Sequence, residues 1–379
     1  MLNSPSELAA IIAGGGTFEV RGMGTKQALG RSTQADKVLD LSGFTGITLY
    51  EPEELVLEAG AATPLSVVEK ALAENNQQLA FEPPNYSRLF GVKDSGSLGG
   101  LMACGLSGPR RIKAGGPRDH ILGLAGVSGR GEIFKAGGRV VKNVTGFDIS
   151  KLMVGAYGTL VALTSITLKV LPASATEETL MLTGLSDARA VQAMSLAMQS
   201  PCDVSAAAHL PGDKTLLRLE GVRPSVIYRR DRLAVLLKDF GSCDVLAEKP
   251  SRRQWQEIRD VYPLARGENR NLWKLSVTPS KSAEIVARIS RELDVRYFLD
   301  WAGGLIWLAS EATPDASAAI IRGSFEQGHA TLMRAAKEVR STVEVFQPQS
   351  PALGALTARV KHSFDPAGVL NRGRMYKDI

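Results

Sequence analysis

The sequence predicts an α+β protein of two domains, and two observations carry this prediction. Seventeen of the 38 glycines lie between Gly91 and Gly158, where they alternate with short apolar runs that are typical of strands. After Pro172 glycine becomes sparse, and helical and strand-like segments alternate. Dense glycine in ordered structure marks left-handed turns and places where another group approaches the backbone closely. We therefore expect a glycine-rich domain that holds an extended anionic ligand, followed by a smaller α+β domain.

Composition and charge narrow the class of protein. The chain has 379 residues, enough for two domains, and its 44% hydrophobic and 22% charged residues are typical of a globular protein. The net charge is +6, but the basic residues form no long run and aromatic residues make up only 6%. Nucleic-acid binding is therefore not expected.

The cysteines and the apolar segments indicate the cellular compartment. Cys104, Cys202 and Cys243 are far apart and form no C-x-x-C pair, so neither a disulfide framework nor an iron–sulfur or zinc cluster is expected. We find no pattern of a signal peptide and no apolar run long enough for a transmembrane helix. The sequence thus predicts a cytoplasmic protein.

The first elements lead into a glycine loop. Ser4 is a suitable N-cap for a helix that ends at the glycines 14–16, and a strand follows over 17–21. The loop after this strand, Gly22 to Lys26, suits a turn that holds phosphate, although an ordinary turn is an equal alternative. The fingerprints G-x-G-x-x-G and G-x-x-x-x-G-K-[ST] are both absent from the sequence, which removes the Rossmann and P-loop interpretations.

Other elements follow from periodicity and from capping signals. Thr63 is expected to cap a helix that runs to about Asn75. Asp148 is expected to cap a short helix, whereas Lys142 and Lys151 are interpreted as solvated charges. In the second half we expect helices over 187–199, 226–237, 253–262, 279–293 and about 331–340, and strands over 206–210, 216–219, 272–277, 296–300 and 305–309.

An ordered set of motifs resembles a known family. The motifs are RGMGTK, LEAGAATPLSVVEKAL, FEPP, SGSLGGLMACGLSGPRR, GPRDHILGL and KNVTGFDISKLMVGAYGTLVALTSITLKVLP. Together they resemble the FAD-binding domain of the vanillyl-alcohol oxidase, or PCMH-type, superfamily. The tail FDPAGVLNRGR is similar to the ending of its FAD-linked 2-hydroxyacid dehydrogenase branch, and within that branch the chain is most similar to the FAD-binding subunits of bacterial glycolate oxidases.

The resemblance implies a domain division and a set of FAD-binding residues. It implies an FAD-binding domain over 1–175, a cap or substrate domain over 176–339, and a tail over 340–379 that returns to the FAD domain. The loop 22–26 would hold the pyrophosphate, and residues 97–100 would hold phosphate and ribose. Gly105, Ser107 and Gly108 would lie beside the flavin. Val161 and Ile166 would lie near the adenine or ribitol. The implied residues are Gly22, Met23, Gly24, Thr25, Lys26, Ser97, Leu98, Gly99, Gly100, Gly105, Ser107, Gly108, Val161, Ile166 and Asn371.

The attachment of FAD is expected to be non-covalent. Some members of the superfamily attach FAD through a histidine or a cysteine. No histidine precedes His120 in this sequence, so the first loop cannot supply one. Cys104 lies close to the flavin loop in the sequence, but we interpret it as a small buried packing residue.

The candidates for catalysis are fewer than those for cofactor binding. Relatives that oxidise D-lactate or D-2-hydroxyglutarate bind a metal through a histidine pair, but His120, His209, His329 and His362 do not have that spacing, so no metal is expected. Lys274 and Arg372 are candidates for binding a substrate carboxylate. His329 is a candidate base, with a structural histidine as the favoured alternative.

Three functional hypotheses follow from the resemblance. In the first, the chain is the FAD-binding subunit of a glycolate oxidase complex, which oxidises glycolate to glyoxylate and passes electrons through the flavin to an iron–sulfur partner. Alternatively, it is a non-catalytic assembly or electron-relay subunit beside a larger homologous FAD subunit, or a stand-alone D-lactate dehydrogenase. Any association with the inner face of the membrane is expected only through the complex.

Overall fold

Antiparallel strands form the larger sheets of this chain in the computed structural model, which describes residues 2–139, 147–265, 270–311, 314–377 and 379. In the first half, five strands pair in the order β3-β4-β8-β6-β7. The short strands β1 and β2 pair in parallel, and β5 pairs with β9. These strands are β1 Phe18–Arg21, β2 Lys37–Asp40, β3 Ile47–Glu51, β4 Val56–Gly60, β5 Gln77–Gln78, β6 Ile121–Ser128, β7 Ile133–Gly137, β8 Val161–Lys169 and β9 Leu171–Pro172.

The helices of the first half are mostly short. Helix α1 begins where Ser4 accepts a hydrogen bond from the backbone N–H of Glu7, and it ends at Gly14, as predicted. Asp148 caps α7 through the N–H of Lys151, also as predicted, whereas Lys142 lies outside the described residues. The helices are α1 Pro5–Ala13, α2 Leu65–Ala73, α3 Ser87–Phe90, α4 Leu98–Cys104, α5 Arg111–Ala114, α6 Pro117–His120 and α7 Ile149–Met153.

The second half builds an eight-stranded antiparallel sheet in the order β13-β10-β12-β11-β15-β16-β14-β17 within the described residues. Its strands are β10 Thr176–Thr183, β11 Ala206–Leu210, β12 Lys214–Gly221, β13 Cys243–Leu246, β14 Asn271–Val277, β15 Val295–Asp300, β16 Leu305–Ser310 and β17 Gly328–Arg334. The helices are α8 Asp187–Gln199, α9 Arg223–Leu236, α10 Glu248–Arg259, α11 Ser282–Glu292, α12 Pro314–Gly323, α13 Lys337–Thr342 and α14 Pro351–Phe364. These elements confirm the predicted α+β class.

Both faces of the eight-stranded sheet are buried at strand β16. In β16, Leu305 and Trp307 belong to an apolar cluster that includes residues of the predicted first domain, such as Leu101. Ile306 and Leu308, which point to the opposite face, pack in a second cluster beneath the helices. Burial of one such large apolar side chain contributes about 1.5–3 kcal/mol. One face of this sheet therefore forms a packed junction with the first domain.

A buried group of charges crosses the same junction. Arg218 of β12 donates two hydrogen bonds to Glu82 of the first domain, at 2.8 and 3.0 Å. Arg110 donates two to Glu220, also in β12, at 3.0 and 2.7 Å. Both carboxylates therefore have pKa values below the ordinary range, because the two arginines outweigh the effect of burial. Each of these buried charges is stabilised by its oppositely charged partners, because burying an unpaired charge costs several kcal/mol of free energy.

Two predicted elements are wrong. The segment 331–340 was expected to be a helix, but residues up to Arg334 form β17, which pairs with β14, and a helix begins only at Lys337. The sheet ladder and the burial of Leu332 outweigh helix propensity here. Thr63 does not cap α2, whose N-cap is Pro64. The hydroxyl of Thr63 accepts a hydrogen bond from the N–H of Gly46 instead, at 2.9 Å.

Candidate functional site

The glycine loop after β1 forms one wall of a cleft with about 780 Å³ of space not filled by protein atoms. The start of α4, the loop before β8 and the C-terminal tail also line the cleft. Further lining residues come from β1, from β8 and from Leu41, Ala61 and Ala62. Ten of the residues implied by the family resemblance line this cleft, namely Gly22, Met23, Gly24, Thr25, Lys26, Ser97, Gly99, Gly100, Val161 and Asn371.

The two loops of the cleft pack so closely that glycine is required. Gly96 has φ +86°, and a Cβ atom on it would collide with the hydroxyl of Thr25 in the other loop. A Cβ on Gly99 would lie 2.7 Å from the carbonyl oxygen of Ala61. Ser97 fixes the start of α4 by accepting a hydrogen bond from Gly100 N at 3.3 Å. The glycine pattern in the sequence therefore reflects close packing of the cradle itself.

Cations give the cleft the charge that a pyrophosphate requires. Lys26 donates to the carbonyl of Ser95 at 2.7 Å, and burial lowers its pKa. Arg374, in the C-terminal tail, donates to the carbonyls of Lys26 and Gln27 at 3.0 and 3.2 Å. It lines the cleft although the sequence analysis did not select it. The bare backbone and these cations fit the phosphates of FAD.

The tail closes the cleft through Asn371. Its side-chain oxygen accepts from the N–H of Val20 at 2.8 Å, and its side-chain nitrogen donates to the carbonyl of Tyr157 at 2.7 Å. Lys361 and Asp365 hold the preceding turn, because Lys361 Nζ donates to Asp365 and to the carbonyls of Thr159 and Leu370. The tail motif thus joins β1 to the loop before β8.

The remaining implied residues lie outside the cleft lining. The side chains of Leu98 and Ile166 are fully buried in the apolar core. Ser107 is also buried. Gly105 lines a neighbouring cavity instead. Gly108 lies at the domain junction, where its carbonyl accepts from the indole N–H of Trp301 at 3.1 Å.

The neighbouring cavity contains about 1020 Å³ of space not filled by protein atoms. It shares Cys104 and Tyr157 with the cleft, so the two spaces adjoin. Its charged lining is mainly positive, with Arg111, Arg118 and Lys151 beside a single acidic residue, Asp119, among the residues described. Burial raises the pKa of the Cys104 thiol. The cavity therefore suits a small anion next to the bound cofactor.

Of the three catalytic candidates, Lys274 lies at the domain junction. It is on the sheet face that packs against the first domain, because Leu272 on the same face belongs to the shared apolar cluster. Its Nζ lies 5.1 Å from the centre of the Trp301 ring. Burial, and then the charge of Arg111, lower its pKa to about 8. His329 and Arg372 are exposed and line neither the cleft nor the cavity.

No metal-binding cluster of three or more His, Cys, Asp or Glu residues occurs in the described part of the chain. Among the described helices, none is both long and apolar enough to cross a bilayer.

Comparison with known proteins agrees with this geometry. Residues 4–137 match the family described as the FAD binding domain. The chain is 34% identical over 361 residues to glycolate oxidase subunit GlcE of Escherichia coli, covering 95% of this chain and 93% of that protein. It is 35% identical over 101 residues to glycolate oxidase subunit GlcD of Bacillus subtilis, covering 27% of this chain and 21% of that protein. The crystal structure of p-cresol methylhydroxylase has a similar fold, with a TM-score of 0.73 at 14% identity, covering 100% of this chain and 88% of that chain.

The fold and the cleft, together with the matched FAD binding domain, define an FAD-dependent oxidoreductase. Its cofactor is FAD. The similarity extends over nearly the whole length of one relative. The chain therefore belongs to the family of FAD-linked oxidoreductases that includes glycolate oxidase subunit GlcE.

Proposed function

We propose that this chain is the FAD-binding subunit of a complex that oxidises glycolate to glyoxylate. The observation that carries the proposal is the 34% identity to a glycolate oxidase subunit over 95% of this chain. The adjoining cationic cavity supports a small acid as the substrate.

We propose that the cofactor is held without a covalent bond by the loops 22–26 and 96–100 and by Asn371. When bound, FAD supplies a two-electron acceptor for the hydride that leaves the hydroxyl-bearing carbon. The hydroxyl proton leaves separately, so glycolate gives glyoxylate, two electrons and two protons in total. Lys274 is proposed to hold the substrate carboxylate, which orients the reacting carbon. We propose that the eight-stranded sheet excludes water from the junction, because its apolar residues Leu272, Leu305 and Trp307 pack there.

The electrons then need an acceptor outside this chain. Its three cysteines, Cys104, Cys202 and Cys243, are free, and they are far apart in the sequence. We propose an iron–sulfur subunit as the acceptor and a larger homologous FAD subunit as a second partner. The complex would lie in the cytoplasm, with any contact with the inner face of the membrane made by the partners.

An anaerobic visible spectrum of the purified chain, before and after addition of glycolate or D-lactate, tests this function. Bleaching of the flavin by glycolate in preference to D-lactate is the expected result. Bleaching by D-lactate alone would support a stand-alone D-lactate dehydrogenase. A flavin that stays oxidised until the partner subunits are added would support an electron-relay role. Failure to bind FAD after reconstitution would overturn the assignment of the cleft.

A further inference from the structure

The turn Trp301–Gly303 lies at the domain junction and has an unusual backbone. Trp301, Ala302 and Gly303 have φ values of 51°, 55° and 95°, so two consecutive non-glycine residues are left-handed. Asp300 stabilises the turn, because its carboxyl oxygen accepts from Trp301 N at 2.7 Å. Strain of this kind persists where the surroundings fix it, and it is concentrated at functional sites.

The indole of Trp301 has a fixed position. Its N–H donates to the carbonyl of Gly108 across the domain junction at 3.1 Å, and the residue is only 6% exposed. Gly108 in turn donates its N–H to Phe81 O at 2.9 Å. The ring is therefore a rigid surface formed by the second domain and held by the first.

Two cations contact this ring from different domains. The guanidinium carbon of Arg111 lies 4.5 Å from the ring centre, and Lys274 Nζ lies 5.1 Å from it. Within the described ranges of the chain, neither side chain has a hydrogen bond or an ion pair to a carboxylate. Arg111 is exposed and lines the cationic cavity. Asp300 also interacts with the charge of Lys274, but it forms no ion pair with it. Two positive charges beside one ring, with no carboxylate paired to either, constitute an incomplete ionic site.

The position of Arg111 is fixed by the residue before it. Arg110 donates its backbone N–H to Glu82 at 2.6 Å, and its guanidinium donates to Glu220 of the second domain at 3.0 and 2.7 Å. The start of α5 is therefore held by both domains, and Arg111 extends from a fixed backbone toward Trp301. Preorganisation of this kind reduces the entropic cost of binding a ligand.

We propose that Arg111 and Lys274, arranged on the ring of Trp301, form the binding site for the carboxylate of the small acid that this subunit oxidises. The inference rests on the proposed function and adds a residue to it, because Arg111 provides a planar pair of donors for a carboxylate. Lys274 provides the second charge from the cap domain. Arg111 lines the cavity next to the flavin cleft, whereas Lys274 and Trp301 lie behind it at the domain junction.

Oxalate, a carboxylate that cannot be oxidised in this reaction, is the probe. It is titrated into the purified FAD-loaded chain while the change in the flavin absorption spectrum is recorded. The variants are Arg111→Met, Arg111→Lys and Lys274→Met. Lys113→Met is the matched control, since Lys113 lies on the same short helix, is exposed and pairs with Asp203. FAD content after gel filtration shows whether each variant retains the cofactor.

We expect wild type and Lys113→Met to bind oxalate equally. Arg111→Met and Lys274→Met should each bind it about 10- to 100-fold more weakly, the usual effect of removing a hydrogen bond to a charged group. The oxalate affinity of Arg111→Lys should lie between those of wild type and Arg111→Met, because lysine keeps the charge and loses the planar pair of donors. All variants should retain FAD.

Unchanged oxalate affinity in Arg111→Met, or no oxalate binding by FAD-loaded wild type, would overturn the carboxylate site. The proposed function has its own outcome in the same samples. If glycolate reduces the flavin of Arg111→Met as well as that of wild type, the proposed function stands and the carboxylate site is wrong. Alternatively, oxalate binding could depend on Arg111 while no small 2-hydroxyacid reduces the flavin, even with the partners present. The carboxylate site would then stand, and the proposed function would be wrong.

Discussion

The side chain of Asn371 donates to the carbonyl of Tyr157 at 2.7 Å, although the two residues are 214 positions apart. The same side chain accepts from Val20 N at 2.8 Å. Asn371 has φ +44°, a conformation that asparagine tolerates better than most residues. The tail therefore connects two walls of the flavin cleft through one amide group.

Asn371→Gly is expected to weaken FAD retention. Glycine keeps the left-handed backbone and removes both hydrogen bonds, which together stabilise the structure by about 1–3 kcal/mol. Asn76→Gly is the control, because Asn76 is exposed and has φ 53°. Flavin absorbance per protein after gel filtration should fall only in Asn371→Gly. Equal retention in both variants would show that the tail does not close the cleft.

Gly96→Ala is expected to disrupt the cradle. The new methyl group would collide with the Thr25 hydroxyl and push the loop 22–26 away from its position. Gly15→Ala is the matched control, because Gly15 has a similar φ of +83° but no atom lies within 4 Å of its added Cβ. Both variants incur the left-handed strain of about 1–2 kcal/mol, but only Gly96→Ala should lose FAD. Thermal unfolding and FAD titration separate the two effects.

Arg218→Met is expected to reduce the free energy of unfolding by about 3–5 kcal/mol, because it leaves Glu82 and Glu220 with fewer partners at a buried junction. Arg253→Met, at an exposed pair with Glu257, should change stability by less than about 0.5 kcal/mol. Urea unfolding of both variants measures the difference. A small effect of Arg218→Met would mean that the junction admits water.

Acid is expected to weaken the same junction. Burial alone would raise the pKa of Glu220, but Arg218 and Arg110 lower it from 4.5 to about 2. A carboxylate with a lowered folded-state pKa contributes stability above its unfolded pKa, and this contribution is lost as the pH falls through the folded value. The free energy of unfolding should therefore fall between about pH 4.5 and 2. Glu220→Gln should show a shallower fall over that interval.

Oxalate affinity is expected to decrease as the pH rises through about 8. Burial and the charge of Arg111 lower the pKa of Lys274 to about 8, so its positive charge is lost above that pH. Asp300 also faces this group, and burial raises its pKa to about 7, so its negative charge develops over an overlapping range. Asp300→Asn should keep the decrease but move it to a lower pH, because the negative charge of Asp300 raises the pKa of Lys274. Lys274→Met should remove the decrease near pH 8. An unchanged pH profile in Lys274→Met would assign the decrease to another group.

The sequence by itself determined the class of fold, the cofactor and the two loops that form the cleft. These features depend on local chemistry, since a short glycine loop such as 22–26 contains the residues that its backbone requires. The cap on α2 and the segment 331–340 were predicted wrongly because contacts elsewhere in the chain outweighed local propensity. Thr63 binds the N–H of Gly46 instead of capping α2, and residues up to Arg334 pair with β14.

The tertiary structure alone decided which charged residues meet. Arg111, Lys274 and Trp301 come from three separate segments, and no spacing in the sequence relates them. The same holds for Arg374, which reaches the first loop from the other end of the chain. His329 and Arg372 are exposed, whereas Lys274 lies on the sheet face that packs against the first domain. Side-chain direction and domain packing make that distinction, because a charge acts only on the groups that folding places close to it.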